Sequence, residues 1–464
     1  MLLVIATLAS TATAAGLVWE DWDRLQVCHP LDYSLPATES ELVALLIAAH
    51  ADGRQVKVCG AGHSFSPIAL TDDGAGGHMV SLDKLDRVLS VTGTLVTVEA
   101  GIRLHDLNAQ LEARGLSLVN MGATCEQSVA GATATGTHGT GIALGSMSTQ
   151  IEGLRIALAN GTLLDTSATS YPTIFAAARV GLGALGVVTQ VSIRAQPLFQ
   201  LRLNHTTMPL DDLLAALPAL LTEYPRLQYY WLPPDEENAT LLTRELMPAG
   251  TLPSPTGVGC WGDNEHVGRH GEPSAWSARN HGVQFPHQSC TDVSYKALCG
   301  SPAHYAARNL YTEMEMFVPL AFVGAAVAQF RAFQRSVAPL LNATATPIFT
   351  GVRYVAADDI TLSPQHGRAN AVISFVAQGM SKTESAPPAV FARYAEALEA
   401  IAMGSFEGRP HWGKMNWANA TSLRVAYGGA LVDRFLALRH DLDPTRMFVN
   451  AYLTERGLGG GRSG

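Results

Sequence analysis

The chain has 464 residues, of which 47% are hydrophobic and 15% are charged, so it is globular and neither disordered nor fibrous. Its length allows two or three domains with large cores. A net charge of −9 without a basic cluster excludes non-specific nucleic-acid binding, and we therefore expect a small-molecule partner.

The first 15 residues predict a signal peptide. An apolar run is followed by small residues in an Ala-x-Ala pattern at Ala12 and Ala14, although no Lys or Arg stands near the start. The run is too short to span a bilayer, and cleavage of the leader or retention at a membrane both stay open. A secreted or lumenal chain also agrees with five Asn-x-Ser/Thr sequons, at Asn160, Asn204, Asn238, Asn342 and Asn419.

The six cysteines show no metal-ligand spacing, so we predict no metal site. In an oxidising compartment, Cys260, Cys290 and Cys299 are plausible disulfide partners within one irregular segment. Cys59 and Cys125 lie in predicted ligand loops, where we expect buried free thiols.

In the first 200 residues, predicted helices and strands alternate with loops of small residues. The patterns predict helices over 40–49 and 105–114 and strands over 56–58, 79–82, 88–91, 95–101 and 189–193. The loops cover 58–67, 120–141 and 181–188. Their small side chains leave volume for a ligand, and backbone amides with threonine hydroxyls suit a pyrophosphate. They do not follow the Rossmann fingerprint, because no G-x-G-x-x-G stands between a strand and a helix.

From about residue 200 the pattern changes, which indicates a second domain. Helices are predicted over 210–224 and 322–341, and strands over 310–316, 348–355 and 371–377. A Gly/Pro/His-rich insertion over 247–308 is interpreted as a loop over the site or a disulfide-pinned lid. A helix over 429–440 precedes the closing segment 443–453.

Five motifs in this order resemble the aldonolactone oxidase and alditol oxidase branch of the vanillyl-alcohol-oxidase-type (PCMH-type) flavoproteins. The resemblance covers residues 19–453. The motifs are Gly60-Ala61-Gly62-His63-Ser64, Gly136-Thr137-His138-Gly139-Thr140-Gly141, Arg353 to Asp359, His411-Trp412-Gly413-Lys414, and Asp443-Pro444 to Tyr452-Leu453.

The resemblance implies an α+β fold, in which a two-subdomain PCMH-type FAD-binding domain carries an antiparallel-sheet cap domain. The expected division is a signal peptide over 1–15, the FAD-binding domain over 16–197, the cap domain over 198–410 with its insertion over 247–308, and a C-terminal segment over 411–464 that completes the flavin site.

The resemblance also implies the cofactor FAD, bonded to the chain from the His63 ring nitrogen to the flavin 8α-carbon. A non-covalent His63 packed beside the flavin is the alternative. The expected cofactor contacts are Cys59, Gly60, Ala61, Gly62, His63, Ser64, Phe65, Gly122, Ala123, Gly131, Thr135, Gly136, Thr137, His138, Gly139, Gly141, Gly186, Val187, Val188 and Lys414.

The reaction implied is hydride transfer from a carbinol carbon to flavin N5. Lys414 matches the family lysine near flavin N1 and C2=O, and Arg353 is expected near the substrate. The alternative is a surface lysine and a salt bridge from Arg353 to Asp358 or Asp359. Gly122 stands where a glycine leaves dioxygen access to the flavin C4a edge, which favours an oxidase that yields hydrogen peroxide.

At one position the chain departs from the family. Relatives commonly carry Glu-x-Arg where this chain has Gly351-Val352-Arg353, and Ser374 stands where alditol oxidases place a histidine. A glycine accepts no proton. Glu313 and Glu315, which share a strand face, are candidates for the missing carboxylate, although an ordinary structural role is also open. Glycine at 351 also enlarges the pocket.

The first hypothesis is therefore a secreted FAD-linked oxidase of a sugar-1,4-lactone, with O2 as acceptor and catalytic residues Lys414, Arg353, Glu315 and Gly122. The alternatives are an alditol oxidase, a carbohydrate oxidase acting on free or oligomeric sugars, a dehydrogenase that uses another acceptor, and a flavin-loaded protein that only binds a ligand.

Overall fold

The computed structural model describes residues 17–74, 76–233, 237–254, 260, 289–299, 310–342, 348–380 and 389–460. Helices and sheets are mixed, so the predicted α+β class is confirmed. The predicted leader lies outside the described residues. None of the described helices is both long enough and apolar enough to cross a bilayer.

The N-terminal half contains two sheets that sit beside a short ribbon. The ribbon pairs β1 (Trp19–Glu20) with β2 (Val27–Cys28). A parallel sheet has the order β3-β5-β4, with β3 at Asp32–Ser34, β4 at Val56–Cys59 and β5 at His78–Ser81. An antiparallel sheet has the order β10-β9-β11-β7-β6, with β6 at Val88–Thr92, β7 at Leu95–Glu99, β9 at Ile151–Ala157, β10 at Leu163–Ser167 and β11 at Val187–Arg194. A separate short pair joins β8 (Leu116–Ser117) to β12 (Gln196–Pro197).

The second half is organised on an eight-stranded antiparallel sheet with the order β16-β13-β15-β14-β18-β19-β17-β20. Its strands are β13 (Gln200–Pro209), β14 (Leu227–Trp231), β15 (Asn238–Leu246), β16 (Ser289–Val293), β17 (Leu310–Pro319), β18 (Ile348–Val355), β19 (Asn370–Met380) and β20 (Arg409–Pro410). Residues 289–293 of the predicted insertion thus form an edge strand, β16, of this sheet.

The described α-helices are Glu39–Ala51, Leu104–Glu112, Val129–Ala134, Pro172–Ala178, Leu210–Glu223, Ser294–Leu298, Val323–Ser336, Ala338–Asn342, Ala389–Phe406, Ala420–Tyr427, Gly429–Leu442 and Ala451–Glu455. The single helix predicted over 322–341 is wrong, because the helix ends at Ser336 and a separate short one follows. Pro339, which lacks an amide proton, lies in the first turn of that second helix, where it is tolerated. The helix over 389–406 was not predicted, although its apolar residues recur at helical spacing.

The large sheet has one apolar face and one polar face. Three helices, Leu210–Glu223, Val323–Ser336 and Ala389–Phe406, cover the face that carries Tyr229, Val352, Ile373 and Met316. Because side chains alternate along a strand, the neighbouring residues Tyr230, Gly351, Ser374 and Glu315 lie on the opposite face. That polar face is free to line the site.

The C-terminal segment returns to the N-terminal half. The amide of Val56 donates to the Met447 carbonyl at 2.8 Å, and Lys57 Nζ donates to the Phe448 carbonyl at 3.1 Å. Asn450 donates through Nδ2 to the Leu70 carbonyl at 2.8 Å. These bonds fix the residues just before and after the first glycine loop.

Two disulfides link the chain, Cys125–Cys299 and Cys260–Cys290, while Cys59 is a buried free thiol as predicted. The prediction of a free Cys125 is wrong. The helix Ser294–Leu298 packs back on the N-terminal half, where Tyr295 donates to Glu112 Oε2 at 2.7 Å. That contact brings Cys299 to a partner 174 residues away, which no local pattern could indicate.

Candidate active site

The first glycine loop leaves β4 and turns tightly against the N-terminal ribbon. Gly62 has φ +68°, and a Cβ there would lie 3.3 Å from the Asp21 Cα and the Trp22 nitrogen. A Cβ on Gly60 would overlap Ser128 Oγ at 2.3 Å. In the described part of the chain, the amides of Ala61 and Gly62 donate to no protein atom. Such amides suit an anionic group such as a pyrophosphate.

His63 follows this turn and is held by aromatic packing. Its ring stacks on Trp22, with centroids 5.2 Å apart and planes at 28°. Burial lowers the pKa of the imidazole to about 3, and the Arg103 and Lys414 cations add to the effect. The ring is therefore neutral at physiological pH, so one of its nitrogens keeps a nucleophilic lone pair.

Two cavities meet at His63. The first, here called the cofactor cavity, lies in the N-terminal half and is lined by small residues of all three predicted loops. The second, the substrate cavity, lies between that half and the polar face of the large sheet. Both are lined by His63, Ser64, Gln127 and Thr135. One elongated ligand can therefore extend from one cavity into the other.

Most of the residues predicted from sequence line these cavities. The cofactor cavity is lined by Cys59, Gly60, Ala61, Gly62, His63, Ser64, Gly131, Thr135, Gly186, Val187 and Val188. The substrate cavity is lined by His63, Ser64, Phe65, Gly122, Ala123, Thr135, Thr137, His138, Gly139, Glu315, Arg353 and Lys414.

Gly136 and Gly141 line neither cavity. Gly136, at φ +80°, turns the chain after the helix Val129–Ala134. The amide of Gly141 donates to the Tyr354 carbonyl at 2.7 Å. Both glycines thus shape the loop, and Gly141 attaches it to the large sheet.

The floor of the substrate cavity is a row of residues on four adjacent strands. The strand register places Tyr230 opposite Gly351, Gly351 opposite Ser374, and Ser374 opposite Glu315. Because all four point to the same face, the row runs straight across the cavity floor. Gly351 leaves a gap in it, since the nearest atoms to a Cβ there would be 3.8–3.9 Å away.

Glu315 is the most densely bonded group in this row. Its Oε1 accepts from Ser374 Oγ at 2.8 Å and lies 3.5 Å from Arg353 Nη1. Its Oε2 lies 3.4 Å from His138 Nε2 and 4.0 Å from His411 Nε2. Burial alone would raise the pKa of the Glu315 carboxyl, but Lys414 and His138 together hold it well below its ordinary value. Glu315 is therefore ionised although it is 1% exposed.

Lys414 forms an ion pair with Glu313 and lies over the Phe65 ring, 4.8 Å from its centroid. Burial raises the pKa of the Glu313 carboxyl, and the Lys414 cation opposes that shift. Lys414 is thus largely enclosed, so the alternative of a surface lysine does not hold. Arg353 contacts Glu315, and the partner of Asp359 is Arg179. The alternative of a salt bridge from Arg353 to Asp359 therefore does not hold either.

The ring nitrogens of His138 and His411 lie with the Glu315 carboxylate within 4.8 Å of one another, close enough to hold a metal ion. The amide of Gly413, however, donates to His411 Nδ1 at 3.0 Å, so in the neutral ring Nε2 carries the proton and cannot bind a metal. Two ligands remain, which is fewer than protein zinc sites use.

Several residues of the site were not predicted from sequence. Trp22 stacks on His63 but follows the leader without any motif. Gln127 lines both cavities from a polar turn. Arg244, Gln228 and Tyr230 reach the substrate cavity from β14 and β15. Alternating polar residues in these strands were the only signal available in the sequence. They indicate which residues share a strand face, but they do not indicate which strands lie side by side.

Comparison with known proteins shows the family to which the chain belongs. Residues 30–167 match the FAD binding domain family, and residues 273–456 match the D-arabinono-1,4-lactone oxidase family. The chain is 34% identical to L-gulono-1,4-lactone dehydrogenase of Mycobacterium tuberculosis over 95% of this chain and 99% of that protein. The chain belongs to the aldonolactone oxidase family of FAD flavoproteins. It is also 31% identical to L-gulonolactone oxidase of Scyliorhinus torazame, over 94% of this chain and 98% of that protein.

This aldonolactone oxidase family member shares its fold with a solved oxidase structure. Cholesterol oxidase from B. sterolicum superposes with a TM-score of 0.73 at 17% identity, covering 97% of this chain and 100% of that one. The PCMH-type fold predicted from sequence is therefore confirmed. The two family matches and the lactone-oxidising relatives show that the chain is an FAD-linked oxidoreductase. The free amides of the first loop, the small lining residues and the continuity of the two cavities fit an extended dinucleotide cofactor.

Proposed function

We propose that this protein is an FAD-dependent oxidase of a sugar-1,4-lactone of the gulono-, galactono- or arabinono-lactone type. The observation that carries the proposal is the pair of enclosed ion pairs, Lys414–Glu313 and Arg353–Glu315, beside the junction of the two cavities. They put fixed charge where a neutral, hydroxyl-rich ring and a redox cofactor would meet. Bound FAD supplies a two-electron acceptor, which takes the hydride at N5.

The side chains divide the remaining work. With FAD bound, Lys414 would be the cation that stabilises negative charge on the reduced ring. Arg353 donates to substrate oxygens, and Glu315 supplies the carboxylate that position 351 lacks. Because both charged pairs are already held in place, little reorganisation is needed when the substrate binds.

We further propose that His63 bonds covalently to the flavin 8α-carbon. The support is a neutral imidazole, fixed by stacking on Trp22 at the point where the two cavities meet. Acid denaturation tests this step, because the yellow colour should stay with the precipitated chain. In His63→Ala the colour should move to the supernatant. Free flavin from the wild-type protein would contradict covalent attachment.

For reoxidation we propose dioxygen as acceptor, with hydrogen peroxide as product. The support is Gly122, which lines the substrate cavity without a side chain. A dehydrogenase that uses another acceptor is the second candidate, because a relative at 34% identity is named a dehydrogenase. Comparing flavin reoxidation by air with reoxidation by a soluble redox dye distinguishes the two.

An alditol oxidase or a carbohydrate oxidase stays a candidate because the gap at Gly351 leaves room for a bulkier or differently oriented sugar. Secretion is a further proposal, which the Cys125–Cys299 and Cys260–Cys290 disulfides support.

The test is anaerobic mixing of the purified yellow protein with aldonolactones, alditols, aldoses and oligosaccharides. Loss of the oxidised flavin absorbance with lactones supports the proposal, and loss with alditols or sugars alone supports the alternative substrate classes. No loss with any compound would indicate a flavoprotein that only binds its ligand.

A further inference from the structure

We propose that Ser374 is a catalytic residue that passes the substrate hydroxyl proton to Glu315, and that His138 is a positioning residue for that carboxylate. The inference rests on the proposed function, because it concerns the proton that must leave as the hydride does. It explains how a chain with Gly351 in place of the family acid can still accept a proton.

The Ser374 hydroxyl lies in the row of residues that forms the floor of the substrate cavity. Ser374 lies on the cavity floor between the gap at Gly351 and the Glu315 carboxylate. Its Oγ donates its proton to Glu315 Oε1 at 2.8 Å. The lone pairs of the same oxygen can therefore accept a hydrogen bond from a ligand. A substrate hydroxyl seated over Gly351 can therefore donate to Ser374 Oγ.

The Glu315 carboxylate is held from both sides. His138 Nδ1 donates to the Gly139 carbonyl at 2.9 Å, which fixes the ring with Nε2 3.4 Å from Glu315 Oε2. Arg353 Nη1 lies 3.5 Å from Oε1, the oxygen that accepts from Ser374 Oγ. Against the effect of burial, Lys414 and the His138 contact hold the pKa of Glu315 well below its ordinary value, so the carboxylate is ionised and can accept a proton.

The transfer balances as follows. The carbinol carbon loses a hydride to the flavin, and the hydroxyl oxygen loses its proton to Ser374 Oγ. Ser374 releases its own proton to Glu315 Oε1, so the serine is unchanged, the carboxylate becomes neutral and the substrate becomes a carbonyl compound. The hydroxyl becomes far more acidic as its carbon gains carbonyl character, so a carboxylate of low basicity suffices.

The decisive experiment restores an acid at the gap. Glu315→Gln should slow anaerobic flavin reduction by about 10²-fold or more, because general-base catalysis contributes 10²–10⁴-fold. Adding Gly351→Glu to that variant should recover at least tenfold of the lost rate, whereas Gly351→Gln, which has the same size but no base, should recover none. Equal rates for the two double variants would overturn the proposal.

Ser374 is tested by direct removal. Ser374→Ala should reduce the rate of flavin reduction by about 10²-fold with little change in lactone affinity, and Ser374→Thr, which keeps the hydroxyl, should retain most of the rate. Ser294→Ala is the matched control, since Ser294 is another buried serine whose Oγ contacts Ser117 outside the cavities. An unchanged rate in Ser374→Ala would exclude the relay.

A third readout does not depend on turnover. Infrared difference spectra of the wild-type protein and Glu315→Gln report whether the carboxyl is protonated. We expect an ionised Glu315 at neutral pH and a higher protonation midpoint in His138→Gln. A protonated Glu315 at neutral pH would overturn the relay. If no lactone reduces the wild-type flavin, the proposed function fails while this spectrum still tests the relay.

Discussion

The two cavities are built in different ways, although they meet at one histidine. The cofactor cavity is lined mainly by small residues of three loops, each local in sequence. The substrate cavity is lined on one side by polar and charged side chains that the strand register brings together, such as Ser374 and Glu315, which are 59 residues apart. The comparison teaches that cofactor binding resides in local turn chemistry, whereas substrate chemistry resides in strand pairing.

Buried acids show the same contrast. Near the cofactor cavity, burial raises the pKa of Asp21 to about 9, and the neighbouring Asp23 adds to the shift. On the substrate side, burial acts in the same direction on Glu315, but Lys414 and His138 outweigh it and lower its pKa. Glu313 also faces Lys414, yet its pKa stays raised, so one nearby cation does not by itself decide the direction in which the pKa of a buried carboxyl shifts.

The largest expected effect is on the substrate side, at Lys414. Lys414→Met should lower the rate of anaerobic flavin reduction by about 10²–10³-fold, the usual cost of removing one charge-stabilising donor. Lys414→Arg is the control that keeps the charge and should fall less. Stopped-flow absorbance measures both. A rate within threefold of wild type in Lys414→Met would place the chemistry elsewhere.

Next in size is the covalent link between the two halves. Breaking the Cys125–Cys299 disulfide with Cys125→Ser should lower the free energy of unfolding by about 2–5 kcal/mol, because the crosslink closes a long loop. Denaturant melts measure the change, with Cys28→Ser, at a buried free thiol, as the comparison. A loss no larger than that of Cys28→Ser would mean that the halves are joined mainly by packing.

A smaller effect is expected at Gly122, which belongs to the loop 120–141 and lines the substrate cavity. Gly122→Ala should slow flavin reoxidation by air roughly tenfold, which corresponds to about 1.4 kcal/mol. The new Cβ would lie 2.8 Å from Thr137 Cγ2, so Thr137 must shift. Gly122→Ala with Thr137→Ser removes that contact. If this double variant regains the wild-type reoxidation rate, crowding and not oxygen access explains the effect.

The last prediction concerns the pH dependence of stability that Asp21 sets. Its folded-state pKa is raised, so its contribution to stability is complete below its unfolded pKa of about 4 and is lost as pH rises towards about 9. The loss is at most about 1.4 kcal/mol per pH unit. Asp21→Asn should flatten the fall of Tm between pH 5 and pH 9. An identical slope in both proteins would contradict the shift.

Much of the lining of the cofactor cavity was predicted from sequence because its loops carry local signals. A glycine turn before His63 and the small residues of 120–141 and 181–188 indicate a ligand site without any knowledge of the fold. Most strands of the N-terminal half also follow from local patterns, whereas their arrangement in two sheets does not. Helix 389–406 was missed despite its periodic apolar residues.

The substrate side was only partly predictable. The sequence placed Glu313 and Glu315 on one strand face, but it could not show that Ser374 lies between Glu315 and Gly351, because that depends on the pairing of three strands. Cys125 gives the same lesson, since its partner reaches it only through tertiary packing.

The most direct measurement compares one aldono-1,4-lactone with the alditol of the same carbon skeleton in anaerobic stopped-flow with the purified holoprotein. The account predicts flavin reduction by the lactone at least tenfold more efficiently than by the alditol, with one carbonyl product formed per flavin reduced. Equal or faster reduction by the alditol, or no reduction by any lactone, would contradict it.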